Sequence, residues 1–132
     1  MMRPLRSLVA FVFALTAAVG LRANLGPTQQ MLLGNPSGAT ADANNHVKYL
    51  IQRSQYALDY SDTLREPNWV AWNLTTGDTG GSGRSNDFFV DTTLPATFTA
   101  VLTSAYQGSG YDRGHMCPSG DRTISRADND VT

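Results

Sequence analysis

The chain has one cysteine, Cys117, among its 132 residues. An unpaired thiol excludes an internal disulfide framework and leaves either an intermolecular bridge or a missing partner. The two histidines, His46 and His115, lie far from each other in the sequence, so one Cys and two His do not supply four conventional zinc ligands. Neither a disulfide nor a structural zinc site is therefore expected to hold this fold together.

Positive charge is also scarce. The chain has 10 Lys and Arg residues against 11 Asp and Glu residues, and no run of basic residues. Three of the arginines, Arg3, Arg6 and Arg22, lie in an N-terminal segment that we expect to be removed. Proteins that hold nucleic acid by bulk charge carry a basic stripe, which is absent here. Any contact with phosphate must therefore depend on a few local arginines, or on parts of the protein outside this sequence.

A long hydrophobic run is missing as well. The uncharged stretch of residues 7–21 is shorter than the roughly 20 apolar residues that a transmembrane helix needs. It follows Arg3 and Arg6, and this order is typical of a secretory signal peptide. We therefore predict a signal peptide over residues 1–23, a secreted or periplasmic protein, and no stable membrane association after cleavage. An uncleaved membrane anchor is the alternative.

The remaining chain is long enough for one domain at most. Residues 24–45 are rich in Gly, Pro, Asn, Ser and Thr, which predicts an extended lead-in with its tightest turn at residues 34–38. Residues 46–132 are assigned to the domain itself. His46, at its start, has no acidic or cysteine neighbours at ligand spacing, so we interpret it as an ordinary surface histidine.

Two stretches alternate between apolar and polar side chains. Residues 56–60 and 68–74 are predicted as strands, and the solvated connection of residues 61–67 suits an antiparallel pair. Trp69 and Trp72 point to opposite faces of the second strand. Core packing, with the other ring covered by a helix or loop, is favoured for them over a base-stacking platform.

A glycine-rich loop, residues 75–83, is followed directly by Arg84. It lacks the Gly-Lys-Ser/Thr ending of a phosphate-binding P-loop, and no helical pattern follows it. Flexible loops often deliver a charged side chain to a cleft. On the residues alone, however, Arg84 is most simply a surface charge.

The densest group of reactive side chains is Asp112, Arg113, Gly114 and His115. An imidazole can take a proton from water near neutral pH, and a guanidinium can counter the negative charge that develops on a phosphorane. Gly114 has no Cβ, so the backbone there can turn or approach a substrate closely. A different interpretation makes Cys117 a nucleophile with His115 as its base, since positions two apart share a face on a strand.

Residues 112–123 closely resemble the active-site signature of the DNA/RNA non-specific endonucleases, the sugar-non-specific nucleases with a ββα-metal (His-Me) finger. Residues 33–40, 68–72 and 108–111 resemble the secreted bacterial branch of that family. The resemblance implies an α+β fold, mainly an antiparallel sheet with packed helices. It also implies metal-dependent hydrolysis of DNA and RNA, which would be the two partners of the protein. Sequence specificity is not expected, because such enzymes contact the sugar-phosphate backbone rather than the bases.

The same resemblance assigns the site residues. His115 is the general base that activates water, and Arg84 stands at the phosphate as the second catalytic residue. Arg113 counters phosphate charge and Asp112 orients its neighbours, so both are placed in substrate binding. The cofactor implied is Mg²⁺ or another divalent cation.

The resemblance places the metal-binding asparagine beyond Thr132, so Asn129 is not assigned as a ligand and no metal residue is expected in this chain. Ser125 is a candidate cap for a short helical turn. We therefore expect residues 46–132 to form the N-terminal part of the domain, with an incomplete finger, exposed sheet edges, and oligomers or aggregates as a result. The alternative function is an inactive truncated secreted fragment with at most weak nucleic-acid binding.

Overall fold

The computed structural model describes residues 29–132, so the predicted signal peptide and the start of the lead-in lie outside the described residues. The described part contains three strands and one α-helix: β1 (Tyr49–Gln52), β2 (Ala57–Ser61), β3 (Glu66–Ala71) and α1 (Arg126–Asp130). Single 3-10 turns lie at Gln29–Met31, Thr103–Tyr106 and Ser119–Asp121. Within this part of the chain, no helix has the length and apolarity that a membrane crossing requires.

The strands form one antiparallel sheet in the order β1-β2-β3. All five residues of β2 are buried, as expected for the central strand. The predicted antiparallel pair is therefore confirmed, but β1 was missed. The boundaries of β3 were also wrong, because it begins at Glu66 and ends at Ala71, short of Trp72. Between Trp69 and Pro67 the register slips by one residue, which is a β-bulge on this edge strand.

The core lies on one face of β2. Leu58 and Tyr60 of this strand, with Tyr56 just before it, pack together with Phe98 and Cys117. This confirms that the alternating residues 56–60 present one apolar face. Phe98 comes from a segment without regular secondary structure, and its ring contacts Tyr49 of β1 at 4.9 Å between centroids. Burying each such side chain stabilises the fold by roughly 1.5–3 kcal/mol.

The helices differ from the expected α+β arrangement. The antiparallel sheet is confirmed, but helices packed on it are not, since α1 has five residues and the other helical segments described are single turns. Residues 111–115 form no strand, so the ββα-metal finger is not confirmed either. The predicted cap is confirmed: Ser125 Oγ accepts a hydrogen bond from the Asp128 backbone N–H at 3.1 Å.

The two tryptophans have different surroundings. Trp69 is half-buried beneath the lead-in, and its Nε1 donates to Ser37 Oγ at 2.8 Å. Trp72 lies past the end of β3 and is 41% exposed, with Nε1 donating to Asp121 Oδ2 at 3.0 Å. Neither ring belongs to the buried core cluster, so the core placement expected for one of them is wrong.

His46 lies at the surface as predicted, with 39% of its side chain exposed, but it has an acidic partner that the sequence did not reveal. Its Nδ1 lies 2.8 Å from Asp62 Oδ2, and its ring stacks on Phe98 with centroids 4.6 Å apart. Asp62 Oδ1 also accepts from the Thr99 backbone N–H at 2.6 Å. The hydrogen bond from His46, and then that from Thr99, lowers the pKa of Asp62. The acidic partner was missed because it lies 16 residues further along the chain.

Substituting Asp62→Asn should reduce stability near neutral pH and not in acid. The pKa of Asp62 is lower in the folded chain than its unfolded value of about 3.9, so the ionised carboxylate stabilises the fold above that pH. This contribution disappears as the pH falls through the folded-state pKa. Urea denaturation across this range should therefore show a gap between the two chains that closes in acid. Glu66→Gln is the control, and a gap that stays constant with pH would contradict the assignment.

Candidate active site

His115 is half-buried in a segment without regular secondary structure. Its Nε2 lies 3.3 Å from the backbone carbonyl oxygen of Ser85. A carbonyl oxygen can only accept, so Nε2 carries the ring proton and donates it to this bond. In the neutral imidazole, Nδ1 then holds the lone pair that can accept a proton.

Phe88 contacts both the imidazole of His115 and the guanidinium of Arg113. The ring centroids of Phe88 and His115 are 4.8 Å apart, and Arg113 Cζ lies 4.9 Å from the Phe88 centroid. A guanidinium over an aromatic face is attracted by roughly 0.5–1 kcal/mol at an exposed site. Phe88 thus brings His115 and Arg113 to one surface. From the sequence, Phe88 was only part of a short apolar segment. It belongs to the site because it contacts residues that lie 25 or more positions further along the chain.

Arg84 directly precedes Ser85, whose carbonyl oxygen accepts from His115. Because Arg84 is joined to Ser85 and Ser85 is hydrogen-bonded to His115, the predicted site residues Arg84 and His115 lie close to each other along the backbone. The Arg84 side chain is exposed and makes no hydrogen bond or ion pair with any other residue that the structure describes. Its guanidinium is free to meet an anion from solvent.

The glycine-rich loop that precedes Arg84 is hydrogen-bonded to the segment that follows the motif. Gly80 N donates to Thr123 Oγ1 and Ser82 N to the Thr123 carbonyl oxygen, both at 3.0 Å. Ile124 N donates back to the Asp78 carbonyl oxygen at 3.1 Å. A Cβ at position 80 would lie 2.9 Å from the Thr123 oxygen, so this close approach requires glycine. The loop lies against the chain that follows the motif.

Asp112 and Arg113 are exposed and line a cavity of about 240 Å³ together with Tyr106 and Tyr111. Asp112 makes no hydrogen bond or ion pair within residues 29–132, and its orienting role stays a prediction. A Cβ at Gly114 would meet no atom within 4 Å, so packing of the described chain does not require glycine there. Close approach of a substrate to Gly114 also stays a prediction.

A second cavity, of about 560 Å³, opens between the sheet and the segment of residues 87–94. Leu58 and Tyr60 form part of one wall, and Arg113 and Gly114 form part of another. Neither His115 nor Arg84 lines it. The cavity therefore adjoins the motif without containing the proposed base.

Cys117 is wholly buried in the core, and this burial raises the pKa of its thiol to about 11. A thiol with that pKa stays protonated near neutral pH, and the thiolate is the nucleophilic form. The interpretation of Cys117 as a nucleophile activated by His115 is therefore wrong.

Asn129 is 1% exposed, and its amide is fully hydrogen-bonded. Its Oδ1 accepts from Ser85 N and, at 2.9 Å, from Ser119 Oγ. Its Nδ2 donates to the carbonyl oxygens of Ser119 at 2.5 Å and Arg122 at 3.0 Å. The Asn129 amide therefore has no free position at which to bind an ion.

The described residues contain no cluster of conventional metal ligands. Among residues 29–132, no group of three or more His, Cys, Asp or Glu side chains could hold a metal ion. The carboxylates of Asp87 and Asp130, near the motif, are instead paired with Arg126 at 2.7 and 2.6 Å.

Residues 35–132 match the family model described as DNA/RNA non-specific endonuclease. A nuclease from Nostoc sp. is 48% identical over 102 residues, which cover 77% of this chain and 37% of that protein. A nuclease from Syncephalastrum racemosum is 38% identical over 104 residues, covering 76% and 30%. Nuclease C1 from Cunninghamella echinulata is 34% identical over 87 residues, covering 62% and 34%.

The chain thus spans about a third of the length of these curated relatives. The family model, by contrast, covers most of this chain and includes every residue of the site described above. The chain belongs to the DNA/RNA non-specific endonuclease family.

Proposed function

We propose that the chain carries part of the active site of a metal-dependent endonuclease that hydrolyses phosphodiester bonds of DNA and RNA without sequence specificity. The observation that carries this proposal is the contact between His115 Nε2 and the carbonyl oxygen of Ser85. It leaves Nδ1 as the proton acceptor, which is the state a general base needs.

In this proposal, His115 Nδ1 takes a proton from water as the water oxygen attacks phosphorus. The new bond forms between the water oxygen and phosphorus, and the bond from phosphorus to the 3′ oxygen breaks. The departing 3′ oxygen takes a proton from solvent water and becomes the 3′ hydroxyl. The attacking group is water, so the 2′ hydroxyl of RNA takes no part. Acceptance of both DNA and RNA follows from this chemistry.

The two arginines would counter the charge of the phosphate. Arg84 is exposed beside Ser85, and Arg113 is held over Phe88, whose ring also contacts His115. A guanidinium presents paired N–H donors that match phosphate oxygens. These are local charges on a chain with slightly more acidic than basic residues, so contact with substrate is expected to be confined to the site.

The metal dependence and the ββα-metal finger remain parts of the proposal. When bound, a divalent cation would stabilise the charge on the departing 3′ oxygen. Within residues 29–132, no group of three or more His, Cys, Asp or Glu side chains could hold it. Secretion or a periplasmic location is proposed as well, on the signal-like pattern of residues 1–23.

The experiment that tests this function compares DNA and RNA oligonucleotides of the same sequence, and identifies the ends of the products. We expect the chain to cut both polymers and to leave a 5′ phosphate and a 3′ hydroxyl on each. Cleavage of RNA alone, with a 2′,3′-cyclic phosphate, would overturn attack by water. Weak binding without cleavage of either polymer would favour the inactive fragment.

A further inference from the structure

We propose that Asn129 is a positioning residue that fixes both His115 and Arg84 through the backbone of Ser85. The inference rests on the proposed function, in which these two side chains act on the phosphodiester. Asn129 itself is buried and touches neither of them directly. It acts through the one residue that is bonded to Arg84 and hydrogen-bonded to His115.

The hydrogen bonds on the two sides of Ser85 carry this argument. Its N–H belongs to the peptide unit shared with Arg84 and donates to Asn129 Oδ1. Its carbonyl oxygen belongs to the next peptide unit and accepts from His115 Nε2. Ser85 is 6% exposed, so water does not readily replace either partner. Holding the Arg84–Ser85 peptide unit in place fixes the backbone from which the Arg84 side chain extends. It also limits the direction of the Ser85 carbonyl group.

The orientation of the Asn129 amide is set by its other partners. Nδ2 faces the carbonyl oxygens of Ser119 and Arg122, which can only accept. A flipped amide would place Oδ1 against these two oxygens and Nδ2 against the N–H of Ser85. The first of these contacts would have no donor and the second would have no acceptor, so only the observed orientation satisfies the buried groups.

Arg126 also contacts Ser85, but through the Ser85 side chain rather than its backbone. Arg126 Nη2 donates to Ser85 Oγ at 3.1 Å and pairs with Asp87 at 2.7 Å. The Arg126 side chain is 54% exposed, and the contact leaves the Ser85 backbone groups untouched. Among the described contacts of Ser85, the one that holds its backbone N–H is therefore that with Asn129.

The ring tautomer of His115 gives a readout that a merely structural role of Asn129 would not move. Nitrogen-15 NMR of the imidazoles distinguishes a protonated ring nitrogen from an unprotonated one. The chain has two histidines, and His46, paired through Nδ1 with Asp62, serves as an internal reference. In the unsubstituted chain we expect His115 to hold its proton on Nε2.

In Asn129→Ala we expect a mixture of His115 tautomers, an unchanged His46, and a fall in kcat of about tenfold or more, because displaced catalytic groups slow the chemical step. Ser119→Ala is the matched control, since it removes one hydrogen bond to the same amide and leaves that of Ser85. A folded Asn129→Ala chain with the His115 tautomer and kcat unchanged would overturn the proposal.

A second measurement needs no substitution. Amide hydrogen exchange in the unsubstituted chain should show Ser85 N–H protected well beyond that of its exposed neighbour Asn86. Equal exchange at the two positions would overturn the proposal even if Asn129→Ala failed to fold. Both NMR readouts are independent of cleavage. A chain that shows the expected tautomer and exchange results but cuts neither polymer would therefore contradict the nuclease function. It would leave the role of Asn129 in holding Ser85 unaffected.

Discussion

Replacing Arg122 with methionine should lower the free energy of unfolding by about 3–5 kcal/mol. Arg122 is 2% exposed, and its Nη2 donates to the carbonyl oxygens of Gln55 and Asn73, both at 2.7 Å. Methionine fills much of the same volume but donates nothing, so both oxygens would lose this charged donor. Each hydrogen bond from a charged group contributes about 1.5–3 kcal/mol.

Arg122 also ties the motif to the sheet, which explains the size of the expected effect. Gln55 directly precedes the core residue Tyr56 before β2, and Asn73 follows β3, so one guanidinium joins the ends of two strands. Its Nη1 lies 3.5 Å from Asp78 Oδ1 in the glycine-rich loop. The loss would thus loosen the strands, the loop and the motif together.

Urea denaturation of the purified chain measures this change. Arg65→Met is the matched control, since Arg65 is exposed in the turn between β2 and β3 and should change stability by no more than about 0.5 kcal/mol. Equal stability of the Arg122 and Arg65 variants would show that the buried guanidinium does not join these segments.

The second large effect that we expect is a loss of cleavage activity when His115 is replaced. His115→Ala should reduce kcat for cleavage by about 10²–10⁴-fold, the usual contribution of a positioned general base. The His115 ring is half-buried and makes one hydrogen bond, to the Ser85 carbonyl oxygen, so the fold should survive its removal. Initial rates on a labelled oligonucleotide, with thermal unfolding followed in parallel, separate lost catalysis from lost structure.

His46→Ala is the natural control for this substitution, because His46 is the other histidine of the chain. It should lose stability through its pair with Asp62 and keep its cleavage rate at temperatures where it is folded. If His46→Ala reduced kcat as strongly as His115→Ala, the assignment of the base would be wrong.

The sequence predicted those elements whose pattern is local. Residues 56–60 alternate cleanly, so β2 and its apolar face could be identified. β1 could not, because Tyr49–Gln52 is too short to show a pattern and is defined by pairing with β2 and, through Tyr49, with Thr40. The start of β3 was misplaced because its pairing extends through the bulge to Glu66, inside a segment whose polar composition suggests a loop.

The site divides in the same way. His115 and Arg113 were predicted from the contiguous motif of residues 112–115, and Arg84 was predicted from the family resemblance alone. Neither prediction needs knowledge of contacts. Ser85 and Asn129 were not predicted, because their roles arise from hydrogen bonds across 30 and 44 residues. A serine after an arginine and an asparagine in a short helix have no distinctive sequence pattern. Their importance depends on burial, which only the folded chain defines.

The most direct test of the central claim is cleavage of supercoiled plasmid and of RNA by one preparation of the chain, with Mg²⁺ and with EDTA, beside His115→Ala. We expect both polymers to be cut, EDTA to stop both reactions, and His115→Ala to lose both together. Cleavage that persists in His115→Ala, or that continues in EDTA, would contradict a metal-dependent nuclease built on this histidine.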